Sequence, residues 1–269
     1  MSPFLPNAAF RHPRGWILAM DWLDLLFMHW PVPAEALRHL IPAGLELDLY
    51  QGQAWIAVVP FLMSGVRPRF LPELPGLSAF PELNVRTYVS RGSIPGVWFF
   101  SLDAANPLVV RGARRFFHLP YFDAGMKAAR PAAPKRRAEG SGTDAIGTAD
   151  PDAPGPGTEV RYTSRRTHSG TPPVELKVIY APTGPAYRAA QGTLEDWLTA
   201  RYCLYAADDE GGLFRCSIHH KPWRLQAARA RIVRNTMTEP IGLTLPDAGP
   251  LLHFSERTEV VAWLPERLP

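Results

Sequence analysis

Residues 82–89 read Glu-Leu-Asn-Val-Arg-Thr-Tyr-Val, an alternation of polar and apolar side chains with a period of two. On an extended strand, side chains two positions apart leave by the same face. Glu82, Asn84, Arg86 and Tyr88 then stand together, with Leu83, Val85 and Val89 on the other side. A carboxylate, an amide, a guanidinium and a phenol on one face offer a proton-transfer group, a fixed cation for an anion and further hydrogen-bonding partners. A solvent-facing strand carrying an Arg–Glu pair has the same pattern, and the sequence weighs the two readings evenly.

A second polar group is His219-His220-Lys221-Pro222-Trp223, which ends a strand pattern, so its two histidines leave by opposite faces and one can point inward. His29, His39, His118, His168 and His253 show no HExxH or comparable spacing, and no metal is expected. Trp223 beside Pro222 reads as packing. Cys203 and Cys216 lack the paired spacing of a zinc site and read as two buried thiols. With no phosphate-cradling glycine pattern and no GxSxG motif, no cofactor is expected either.

These side chains have to be held by a chain of 269 residues, 46% hydrophobic and 20% charged, which suffices to bury a full core. The apolar runs at 16–20 and 54–63 fall far short of the roughly 20 residues that cross a bilayer, and no secretory pattern opens the sequence. A cytoplasmic protein with no membrane partner is expected. The net charge is +4, and part of the excess sits in one irregular stretch with Lys127, Arg130, Lys135, Arg136 and Arg137, so no nucleic-acid partner is expected. The preponderance of arginine over lysine reads as the codon bias of a GC-rich genome. Nothing in the sequence sets the oligomeric state.

The elements follow from periodicity. Residues 45–61 read as a hairpin turning at Gln51-Gly52, and 82–91 with 97–104 as a second one. A short helix is expected at 34–40. Asn106-Pro107 reads as a cap and first position of another helix, with Val109, Gly112, Ala113 and Phe116 on one side and Arg111, Arg114, Arg115 and His118 on the other. Thr193 caps a third helix. Strand patterns recur at 158–168, 174–181, 213–220, 229–236 and 252–263. Between them, residues 128–157 lose hydrophobic periodicity and read as a flexible insertion in a single domain spanning 1–269. The expected fold class is α+β, with a mainly antiparallel, barrel-like β-sheet and a few helices.

Several segments together resemble the DUF2071, or YqjF-like, family: Trp30-Pro31-Val32-Pro33, residues 42–48, residues 55–61, the strand 82–89, Phe99-Phe100-Ser101-Leu102-Asp103, Leu119-Pro120-Tyr121, Arg201-Tyr202 and His220-Lys221-Pro222-Trp223. The resemblance implies an acetoacetate decarboxylase-like fold with a central cavity. In that decarboxylase a lysine pair follows an Arg- and Pro-containing segment, and one lysine forms the Schiff base. In the similar segment 113–122, Tyr121 and Phe122 stand where the lysines would be. Neither side chain can form an imine, so Schiff-base decarboxylation of acetoacetate is not expected. By motif order Glu82 takes the place of the decarboxylase's active-site carboxylate.

The candidate pocket set is therefore Glu82, Asn84, Arg86, Tyr88, Arg114, Tyr121 and His220, with no catalytic role assigned. Such a pocket suits a small oxo acid or other carbonyl compound. A purely structural alternative makes Arg114 and Glu82 a buried ion pair holding helix to sheet. For the whole protein, the alternatives to an enzyme on a carbonyl or carboxylate compound are a non-catalytic ligand-binding or sensory module and an interaction protein using the basic insertion.

Overall fold

The structure, a computed structural model, describes residues 15–130 and 158–269. In chain order the elements are β1 (Leu18–Val32), α1 (Ala34–Arg38), β2 (Glu46–Leu47), β3 (Ala54–Pro68), β4 (Phe80–Arg91), β5 (Ile94–Ala104), α2 (Pro107–Phe117), β6 (Tyr121–Ala129) and β7 (Val160–Arg166). There follow β8 (Glu175–Pro182), α3 (Leu194–Thr199), β9 (Cys203–Ala207), β10 (Leu213–His220), β11 (Gln226–Asn235), β12 (Leu251–Ala262) and β13 (Glu266–Arg267). No helix among the described residues is long and apolar enough to cross a membrane.

Strand pairing closes the sheet twice. One ring runs β12–β1–β3–β4–β5–β6–β7–β8–β11 and back to β12, a nine-strand barrel that is antiparallel except at β5–β6. A second circuit leaves β5 through a parallel pairing with β9, continues to β10 and rejoins β12. Both circuits share the wall β12–β1–β3–β4–β5. Closure removes the unpaired edges that open sheets expose.

Because side chains alternate along a strand, the shared wall feeds both interiors. Ile56, Val58, Leu83 and Val85 meet Tyr162, Leu176, Val178 and Tyr180 in one hydrophobic cluster inside the nine-strand ring. Val59, Phe61, Glu82, Asn84 and Arg86 face the other way, into a cavity inside the smaller ring. Asp24 resets the alternation within β1. Its left-handed φ of 51° forms an irregularity, so Met20 and Trp22 face the cavity before it and Leu25 after it. Its carbonyl accepts from the buried Tyr180 hydroxyl at 2.6 Å, and its carboxylate accepts from Arg130 Nε at 3.0 Å.

Three expectations change here. The first arm of the 45–61 hairpin is the two-residue β2, and it pairs with β4 rather than β3, because only the bridge Tyr50–Gln53 survives of the turn. Residues 18–32, which carry no clean period of two, form one of the two longest strands. Of the flexible insertion expected at 128–157, Ala128 and Ala129 instead pair with β7 as the end of β6, and residues 131–157 lie outside the described residues.

Candidate functional site

β4 supplies the polar stripe. Glu82, Asn84 and Arg86 leave its cavity-side face in succession, opposite β3 on one edge and β5 on the other. The cavity measures about 320 Å³ and is closed by residues of β1, β5, α2, β10 and β12. Most of its lining is apolar, including Met20, Trp22, Phe61, Phe80, Phe99 and Trp223. It reaches the surface along α2, where Phe116 both lines the cavity and is 66% exposed.

Glu82 is 1% exposed. Its Oε2 accepts from the Tyr121 hydroxyl at 3.0 Å, and Asn84 also hydrogen bonds it. Burial dominates over both bonds and pushes its pKa from 4.5 up to about 8, so the carboxyl keeps its proton at neutral pH. Tyr121 is raised well above the ordinary phenol range, by its own burial and then by the neighbouring Glu82, and is a neutral donor.

Arg86 is the opposite case. It is 9% exposed, lines the cavity and has no carboxylate within ion-pair distance among the described residues; its Nε has no hydrogen-bond partner. A buried charge without a counter-charge is costly. Its surroundings hold it in place. The guanidinium lies 5.4 Å from the Phe27 ring and hydrogen bonds Tyr88. The Tyr88 hydroxyl in turn meets His29 Nε2 at 2.7 Å. Burial and then Arg86 lower the His29 pKa well below 6.5, so His29 is neutral.

Of the expected set, Glu82, Asn84, Arg86, Tyr121 and His220 are brought together on the cavity lining. Tyr88 shares their face but stands behind it, covered by Trp197 at 4.7 Å and Arg201 at 5.0 Å. Arg114 is a correction. It is exposed, donates to the Tyr121 carbonyl at 2.9 Å and borders a separate surface cleft, because the apolar stripe of α2 claims the cavity side. The Arg114–Glu82 ion pair does not form. His220 is buried and lowered to about 4, mainly by desolvation, so it is neutral, with Nδ1 2.7 Å from the Lys221 carbonyl.

Three further lining residues, outside the expected set, matter for the chemistry of the cavity. Arg201, beyond α3, donates to Asp48 at 2.6 Å, so its charge is matched where that of Arg86 is not. Trp22 enters from the unassigned β1. Trp223, read as packing, does pack on Trp22 at 5.9 Å and donates to the Thr199 carbonyl at 2.8 Å, but it lines the cavity as well. Arg201 was among the residues that carry the family resemblance, but its direction was not readable without the tertiary fold. Among the described residues no three His, Cys, Asp or Glu side chains cluster as a metal site. Lys127, Lys177 and Lys221 are exposed and none lines the cavity.

A closed nine-strand mixed barrel of this kind defines a class by its fold, the acetoacetate decarboxylase-like fold. An acetoacetate decarboxylase-like enzyme from Sphingomonas wittichii RW1 superimposes with a TM-score of 0.56 at 14% identity, over 98% of this chain and 99% of that one. The enduracididine biosynthesis enzyme MppR, complexed with pyruvate, gives 0.57 at 11% identity, over 100% and 93%. Within that class the chain belongs to the DUF2071 family, described as an uncharacterized conserved protein, which it matches over residues 19–259. It is 42% identical over 252 residues to the uncharacterized protein YqjF of Bacillus subtilis (strain 168), covering 93% of each chain.

Proposed function

We propose that the chain binds a small carboxylate or oxo acid in this cavity, with Arg86 as the counter-charge and the protonated Glu82 as a hydrogen-bond donor able to pass its proton to a ligand carbonyl. The observation that carries the reading is the buried Arg86 guanidinium, which lines the cavity without a carboxylate partner. That MppR has been seen with pyruvate fits a carbonyl acid as ligand for this fold. The exposed positions of the three described lysines favour chemistry without an imine, in keeping with Tyr121 standing in place of a lysine. Two buried free thiols, Cys203 and Cys216, suit a reducing compartment, and we assign the protein to the cytoplasm on that ground.

Thermal unfolding of the full chain with millimolar 2-oxo acids, pyruvate and its longer homologues, tests the reading, since a ligand of the folded state raises the melting temperature. At a concentration of about 100 times Kd the stabilisation is about 2.7 kcal/mol. The shift is expected in the native chain and lost in Arg86→Ala; no shift with any oxo acid, or an equal shift in Arg86→Ala, refutes it. Following the bound compound by NMR then separates an enzyme from a second reading, a ligand-binding or sensory module. The predominantly apolar lining, with one carboxyl and no lysine among the described residues, is what favours that second reading.

A further inference from the structure

The cavity is larger than a short oxo acid and mostly of the wrong polarity for one. An apolar protein cavity of about 150 Å³ accommodates benzene, so the 320 Å³ here has room for roughly a dozen non-hydrogen atoms, about twice the size of pyruvate. Its two arginines, Arg86 and Arg201, are both buried. The apolar lining residues that retain solvent exposure are Met20, Val66, Val109 and Phe116, and they stand on the surface side of the cavity. A ligand that was all headgroup would leave these walls facing water.

α2 adds an independent sign. Gly112 sits inside the helix, where glycine is the least favoured residue after proline, and its backbone φ is not in the left-handed region. A Cβ built at Gly112 meets nothing within 4 Å, so no neighbouring atom requires the glycine. Gly112 lines the cavity one turn before Phe116, so the space it leaves open belongs to the cavity.

We propose that the occupant is an amphiphilic carboxylate of roughly a dozen non-hydrogen atoms, its head at Arg86 and its apolar tail running past Gly112 towards the mouth at Phe116. This rests on the reading of Arg86 as the ligand's counter-charge and specifies the class of compound it holds.

Calorimetric titration of the full chain with straight-chain carboxylates from butanoate to dodecanoate reads the tail directly. Affinity is expected to rise about fourfold per added methylene, as burial of apolar surface dictates, and to level off near about ten carbons, where the tail passes Phe116 into solvent. Gly112→Leu, which fills the path, is expected to weaken decanoate about tenfold or more and to bring the levelling-off about four carbons earlier. Affinity independent of chain length, or a Gly112→Leu chain that takes decanoate as well as the native one, overturns the proposal while leaving the Arg86 reading standing. If no carboxylate of any length binds, or if all bind Arg86→Gln as tightly as the native chain, both fall together.

Discussion

Glu82 and Arg86 lie on one strand face, and their environments push them apart in charge. Glu82 is buried and holds its proton, while Arg86 presents a guanidinium to the same cavity. The Glu82 proton has a consequence for stability. Between about pH 4.5 and pH 8 the folded chain keeps a proton that the unfolded chain releases. The stabilisation is therefore complete below about pH 4.5, declines as pH rises and is gone above about pH 8. A raised pKa of this size corresponds to ~5 kcal/mol. Urea unfolding across that interval should show the native chain losing stability towards alkaline pH and Glu82→Gln losing much less. A native profile as flat as that of the variant would mean that Glu82 is already ionised. The shared face was legible because a period of two survives any tertiary arrangement. The proton was not, because burial is a property of what the rest of the chain places over the strand.

α2 is where local rules and the site meet. Asn106 accepts from the backbone N–H groups of Leu108 and Val109 at 3.1 and 3.3 Å, and Pro107 opens the first turn, so both ends of the sequence signal are used. Asn106→Ala should cost ~1 kcal/mol in a denaturant titration. Gly112→Ala should do the reverse and stabilise by ~1 kcal/mol, because alanine fits the helix and its methyl meets no atom. A loss of stability in Gly112→Ala would show a close contact at that position. The helix and its two faces were readable from spacing. That Arg114 lies outside and Gly112 inside followed only when the helix was seated on the barrel. The 45–61 segment makes the complementary point: its alternation was real, but β2 found its hydrogen-bond partner in β4, a choice that local pattern does not encode.

At the scale of the molecule, two circuits share one wall, and a buried ion pair fastens the outer strands to it. Arg166 on β7 donates to both oxygens of Asp103 on β5, at 3.0 and 2.6 Å, and its guanidinium lies 4.0 Å from the Phe122 ring. Removing one partner leaves a buried charge unmatched, so Asp103→Ala should destabilise by about 3–5 kcal/mol in equilibrium unfolding. A loss within ~1 kcal/mol would show that water or a neighbour takes over the role of Asp103.

By itself the sequence determined the class of fold, the cap and faces of α2, and the set Glu82, Asn84 and Arg86 on one side of a strand, because these follow from periods and from local hydrogen bonding. It also carried the family resemblance, through motifs spread along most of the chain. Tertiary structure alone decided that β1 runs through an irregularity at Asp24, that Arg201 and Trp22 reach the same cavity, and that Arg86 lacks the partner Arg201 has. Those outcomes depend on closing the sheet on itself. Closure brings together residues as far apart in sequence as Trp22 and Trp223, and it sets how much solvent each charge retains.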